Sequence, residues 1–151
     1  MRDLTIAKEV EIAAPLSPRQ VAEAWFSSLE QSNLQAAQAL LDENVVWENI
    51  PSTPDVSDLA PWLGTYKGVA AAMKSIEVWA AHARLLSFKL LRLLVDGPEA
   101  VGIVHEHGQC LANSNEYDVY VAENIRIEAG KITHYRVYWD VSPIIKAIRN
   151  I

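Results

Sequence analysis

Residues 117–143 read YDVYVAENIRIEAGKITHYRVYWDVSP, and the reading of this stretch decides the fold. β-Branched and aromatic residues crowd both sides of one break at Ala129-Gly130. The pattern predicts two long strands, over 119–128 and 131–141, joined by a hairpin turn. Side chains alternate along a strand, so Val119, Val121, Glu123, Ile125 and Ile127 share one face. Glu123 thus sits in an otherwise apolar row. On the second strand Thr133, Tyr135, Val137 and Trp139 share one face, and His134, Arg136, Tyr138 and Asp140 the other. A carboxylate on an apolar face beside aromatics is a candidate for chemistry, because burial perturbs its pKa. If the strand turns that face outward, Glu123 is an ordinary solvated charge.

Upstream, helices come before strands. Ser17-Pro18-Arg19-Gln20 is a helix start: Ser17 can accept from backbone N–H groups, Pro18 suits the first helical position and Gln20 completes a capping box. The helix should run to about residue 31, with Val21, Ala24, Trp25, Ser28 and Leu29 on one face. Ser32-Asn33 breaks it, and 34–41 predicts a second helix, making a helical hairpin. NVVWENI at 44–50 reads as a strand ended by Pro51. PSTPDVSDLAPWLGTYK at 51–67 holds three prolines with little periodicity and reads as a long loop. A third helix spans 68–82, with Val69, Ala72, Met73, Ile76, Trp79 and Ala80 at helical spacing. Strands follow over 84–95 and 100–111, broken at Asp96-Gly97-Pro98, then the hairpin above and a short helix over 143–148. Residues 1–16 read as an arm or edge strand, and 17–151 as one domain. Helices followed by a run of strands imply an α+β fold: a curved antiparallel sheet wrapped into a cone around about three helices, enclosing an apolar pocket.

Composition narrows the function. The chain has 151 residues, enough for one core and a small pocket, and a net charge of -6 with no basic cluster. That argues against nucleic acid and against an anionic membrane as partner. Cys110 is the only cysteine, which excludes an internal disulfide and a thiolate metal site. Acidic residues interrupt the N-terminal stretch where a signal peptide needs an apolar run, and no segment approaches the roughly 20 apolar residues of a membrane span. The expectation is a cytoplasmic protein with no cofactor and no metal.

The helical start with Trp25, the stretch NLQAAQALLDENVVWENIP, the entry TYKGVAAAM and the closing IRIEAGKITHYRVYWDVSPI occur in an order that resembles the nuclear transport factor 2-like superfamily. Within it, the order resembles the SnoaL-like polyketide cyclases, the ketosteroid isomerases and the limonene epoxide hydrolases. The resemblance covers about residues 17 to 149. It implies the cone fold, a small hydrophobic ligand and a homodimer through the outer sheet face. The tyrosine and two aspartates of the isomerases correspond to Trp25, Asn49 and Glu123, so one carboxylate is kept, and Trp139 matches a pocket aromatic. The tyrosine and asparagine of the epoxide hydrolases correspond to Trp47 and Asn49, while Val104, Glu106 and Val137 stand where that family has its charged set. The cyclases need only one pocket acid or imidazole to move a proton. The resemblance therefore implies an isomerase or cyclase, with an epoxide hydrolase or hydratase as first rival and a non-catalytic binding or dimerisation domain as second.

Glu123 is the first candidate for general acid or base, since an apolar wall disfavours its ionised form. Asn49 could orient a carbonyl or a water, although an Asn before Pro is also a common turn residue. In His105-Glu106-His107, alternation sets Glu106 opposite both histidines. The register implied by the resemblance puts Glu106 inside with Val104 and Gly108. A slip of one residue would bring His105 and His107 to the pocket as a proton shuttle. Trp25, Trp47, Trp62, Tyr66, Met73, Val119, Val121, Val137 and Trp139 are the expected substrate-binding set, with Trp62 and Tyr66 as a lid over a flat ligand. Core packing is the alternative for Trp25 and Trp79.

Overall fold

The computed structural model describes residues 14–50 and 54–151. The expected arm therefore lies largely outside the described residues, and Pro51 lies outside them too.

Helix α1 (Pro18–Glu30) begins with the capping box: Gln20 N–H donates to Ser17 Oγ at 3.2 Å, and Ser17 N–H donates to Gln20 Oε1 at 2.9 Å. Its buried face is Val21, Ala22, Trp25, Phe26 and Ser28. Asn33 caps α2 (Leu34–Ala39) through Ala36 N–H. This second helix ends two residues earlier than its periodicity suggests, because strand β1 (Leu41–Asn49) takes over at Leu41 rather than at residue 44. The stretch expected to be one long loop carries a short helix α3 (Pro54–Ser57) and a strand β2 (Gly64–Lys67) paired with β1. After α4 (Val69–Ala80) come β3 (Ala83–Asp96), β4 (Glu99–Cys110), β5 (Glu116–Glu128) and β6 (Lys131–Trp139), then α5 (Ser142–Arg149).

One six-stranded sheet runs in the order β2-β1-β6-β5-β4-β3. It is antiparallel except that β1 lies parallel to β6. The β5–β6 turn is tight because Ala129 and Gly130 both take positive φ, 49° and 76°, the geometry of the commonest two-residue hairpin loop. A bulge between Arg126 and Ile127 shifts the pairing, so Ile132 and Tyr135, rather than Thr133 and Tyr135, point inward. The register shifts twice in β3–β4, beside Leu86 and Leu91, and bulges of this kind bend a sheet.

The helices fill the concave side of the sheet. Trp25, Phe26, Val45, Val104, Ile125 and Ile132 are all but fully buried there. Two glycines on β4 make room. A Cβ at Gly102 would stand 2.1 Å from the Phe26 ring, and one at Gly108 would stand 2.3 Å from the Tyr117 ring. The aromatic rings occupy space that any other residue would fill.

Candidate active site

A cavity of about 320 Å³ opens between the concave sheet face, α1 and α4. All five tryptophans of the chain, Trp25, Trp47, Trp62, Trp79 and Trp139, contribute to its wall. Trp47 and Tyr135 stack with centroids 3.7 Å apart and planes 13° apart, because Cα pairing sets them side by side on parallel β1 and β6. Trp25 meets both edge-on, at 6.0 and 5.9 Å. Edge-to-face and offset contacts of this kind satisfy the ring quadrupoles and hold the wall rigid.

The polar groups in this apolar wall are few. Glu123 is 3% exposed, with its carboxyl on the concave face. Burial pushes its pKa up from 4.5 to about 7, while hydrogen bonding from the Tyr135 hydroxyl pulls the other way. The Trp25 indole Nε1 lacks a partner at full hydrogen-bond geometry, yet its N–H dipole acts on the same carboxylate and favours its charged form. Tyr135 itself is pushed well above the usual phenol range, first by burial and then by the neighbouring Glu123 charge, so it stays a neutral donor.

Glu106, on β4, also reaches the cavity. Its pKa rises to about 7, first through burial and then through the charge of Glu123, with Tyr117 opposing. The Tyr117 hydroxyl lies 3.5 Å from Glu106 Oε2, at the limit of a hydrogen bond. Among the described residues that line the cavity there is no Lys, Arg or His, so nothing neutralises either carboxylate from within.

Asn49 adds an amide to these acids. Its Oδ1 accepts from Trp139 Nε1 at 3.1 Å, and an indole N–H can only donate, which fixes the amide orientation. The Asn49 amino group is thereby left on the side away from Trp139. Ser28 and Ser75 line the cavity too, but their hydroxyls donate to the backbone of the preceding turn, at 2.7 Å each.

Several expected positions fall elsewhere. His105 and His107 do not face the cavity: strand alternation turns them to the outer face, where His105 meets Asp118 at 2.8 Å and His107 meets Glu116 at 3.4 Å. The slipped register that would make them a proton shuttle is excluded by the pairing of Glu106 with Val119. Tyr66 is not among the described residues that line the cavity, and its hydroxyl donates to the Trp62 carbonyl at 2.9 Å. Met73 lies off the edge of α4 that carries Ser75, Ile76 and Trp79 to the cavity, and packs against the core instead. Val119 faces inward but is spent in the core. Trp25, Trp47, Trp62, Val121, Val137, Trp139, Glu123, Glu106 and Asn49 do line the cavity.

Sequence reasoning passed over Tyr135 and Tyr117 as site residues. The parity that flagged Glu123 also placed Tyr135 on a face with Val137 and Trp139, and this was the available signal. Tyr117 was missed because β5 starts three residues earlier than expected.

A cone of helices and curved sheet around an apolar cavity, with two carboxyls and no cationic side chain among the described residues that line it, defines a small-molecule pocket of the nuclear transport factor 2-like class. The chain belongs to the SnoaL-like domain family, whose profile matches residues 22–135. Comparison with curated proteins finds no match. Among solved structures, an NTF2-like protein from Burkholderia thailandensis is similar at 19% identity, covering 88% of this chain and 98% of its own, with a TM-score of 0.77. A candidate polyketide cyclase from Pseudomonas putida is 19% identical over 87% of this chain and 98% of its own, TM-score 0.68. An LEH-like epoxide hydrolase from M. tuberculosis is 16% identical over 88% of this chain and 90% of its own, TM-score 0.63. Likeness at these identities shows the fold. Chemistry has to be argued from the cavity.

Proposed function

We propose that this chain is a cofactor-independent isomerase or cyclase that moves a proton on a small hydrophobic carbonyl compound of polyketide or terpenoid type. The observation that carries the reading is the buried Glu123, whose pKa of about 7 suits a base that must take up a proton and give it up again near neutrality. In its ionised form Glu123 removes a proton from the carbon next to the carbonyl. The Asn49 amino group, held by Trp139, stabilises the charge that develops on the carbonyl oxygen. The stacked and edge-on aromatics form a rigid apolar wall against which a flat substrate packs, and they exclude water.

Epoxide hydrolysis gains less support, because no arginine stands among the described residues that line the cavity to polarise an epoxide oxygen. The working location is the cytoplasm; no helix among the described residues is long and apolar enough to cross a membrane. The proposed assembly is a homodimer through the outer sheet face, where Tyr120 and Tyr138 stand exposed beside the histidine–carboxylate pairs.

Quenching of tryptophan fluorescence tests binding directly, since every indole is at the cavity. Exchange of the substrate's α-hydrogen for deuterium tests the chemistry. Glu123→Gln should keep binding and slow exchange by roughly 10²- to 10⁴-fold. Ligand binding with no exchange in the wild-type protein would leave a non-catalytic binding domain in place of an enzyme.

A further inference from the structure

The two glutamates of the cavity are built to the same plan. Glu123 pairs across β5–β6 with Val137, and its phenol, Tyr135, lies two residues before Val137. Glu106 pairs across β4–β5 with Val119, and its phenol, Tyr117, lies two residues before Val119. Each acid therefore meets a tyrosine on the neighbouring strand along the same diagonal, a separation that long and aromatic side chains bridge. Gly108, opposite Tyr117, supplies the space in which the second phenol lies.

The two units are far apart along the strands. Val119 and Glu123 are four residues apart on β5, so the backbone anchors of the two acids are offset by roughly 13 Å. Both still line one cavity. Anchors so far apart let the two acids serve different atoms of one ligand instead of sharing one oxygen, as a carboxylic dyad would, while the Glu123 charge still acts on Glu106.

We propose that Glu106 and Tyr117 form a second acid–base unit, which delivers a proton to one atom of the substrate while Glu123 removes a proton from another. This deepens the proton-transfer reading above and rests on it. The α-carbon–hydrogen bond breaks and its proton goes to the Glu123 carboxylate. The electron pair passes into the enolate and along the conjugated π system. A new bond to hydrogen forms at the remote carbon with the proton of the Glu106 carboxyl, which is left ionised. Nothing is oxidised or reduced, and exchange with water restores both acids. The substrate class is an unsaturated carbonyl compound whose proton-losing and proton-gaining atoms are different. With one acid lost and one gained per turnover, the pair must carry one proton between them. The mutual repulsion of the two carboxylates favours that state.

The test uses the whole chain with a β,γ-unsaturated bicyclic ketone in deuterium oxide, following by NMR both α-deuteration and formation of the conjugated ketone. The wild type should do both, and Glu123→Gln should lose both. Glu106→Gln should lose the conjugated product by roughly 100-fold or more while α-deuteration continues. Tyr117→Phe keeps the carboxyl and removes its donor, so the high-pH limb of the rate profile should move upward, a shift that a merely structural defect would not give. If Glu106→Gln forms conjugated ketone at the wild-type rate, Glu123 returns the proton by itself and the second unit is refuted. Equal loss of both signals in that variant also overturns it. A wild type that does neither removes the proton-transfer reading itself.

Discussion

Glu123→Gln should change how the stability of this protein depends on pH. In the folded chain the Glu123 carboxyl keeps its proton up to about pH 7, whereas its ordinary value is 4.5. Between those values the folded state binds more protons than the unfolded one, so stability falls as pH rises. Below 4.5 both states are protonated and the effect is absent; above about 7 it is complete. The interval, at about 1.4 kcal/mol for each pH unit, amounts to about 3 kcal/mol lost by the wild type. Glutamine carries no such titration and can still accept from Tyr135. Removing the Glu123 charge also lets Glu106 ionise more readily, which flattens the curve further. Urea unfolding, followed by tryptophan fluorescence at a series of pH values, measures the difference directly. The variant should gain at least about 3 kcal/mol on the wild type between pH 4.5 and pH 8, since titrations other than those of Glu123 and Glu106 cancel. Parallel stability curves for the two proteins would refute the burial argument, because a solvated Glu123 would leave no gap between folded and unfolded pKa.

Gly108→Ala places a Cβ against the Tyr117 ring, and the overpacking should cost about 1–3 kcal/mol in unfolding free energy; an unchanged urea midpoint would mean that the ring moves freely. Asn49→Leu removes the candidate oxyanion donor and orphans the Trp139 indole, so α-exchange should slow by roughly 10²- to 10³-fold, and an unchanged rate would assign that role elsewhere. Ser17→Ala breaks the α1 capping box and should destabilise by about 1 kcal/mol without altering ligand affinity, as paired urea and fluorescence titrations would report.

What was legible in the sequence was local. The Ser17–Gln20 box and the Ala129-Gly130 turn each rest on a few adjacent residues, and the inward parity of Glu123 needs only alternation along one strand. What was not legible depends on partners distant in sequence. Strand β2 is four residues long within a proline-rich segment and exists because β1 offers it an edge. The parallel pairing of β1 with β6 joins residues nearly ninety positions apart, and it stacks Trp47 on Tyr135. The bulge at Arg126–Ile127 breaks the alternation that would otherwise have put Thr133 inside. Tyr66 and Met73 had the right residue types for a pocket. A hydrogen bond back to Trp62, in one case, and the angular position on α4, in the other, turn them from it.

The two acid–phenol diagonals show where sequence reading stops short of chemistry. Parity alone sets Glu123 in an apolar row and Tyr135 with Val137 and Trp139, but it fixes neither whether Glu106 faces inward nor which phenol serves which acid. That assignment needs register, and register follows from how β4, β5 and β6 align against one another. A slip of one residue in β4 would have turned Glu106 outward and its flanking histidines inward, giving a cavity that titrates through imidazole. The observed register gives a cavity with no imidazole or cation among the described residues that line it. Burial then raises both acids toward neutrality, and each phenol favours the charged form of its own acid. The same alignment that closes the core thus sets the protonation state of the site.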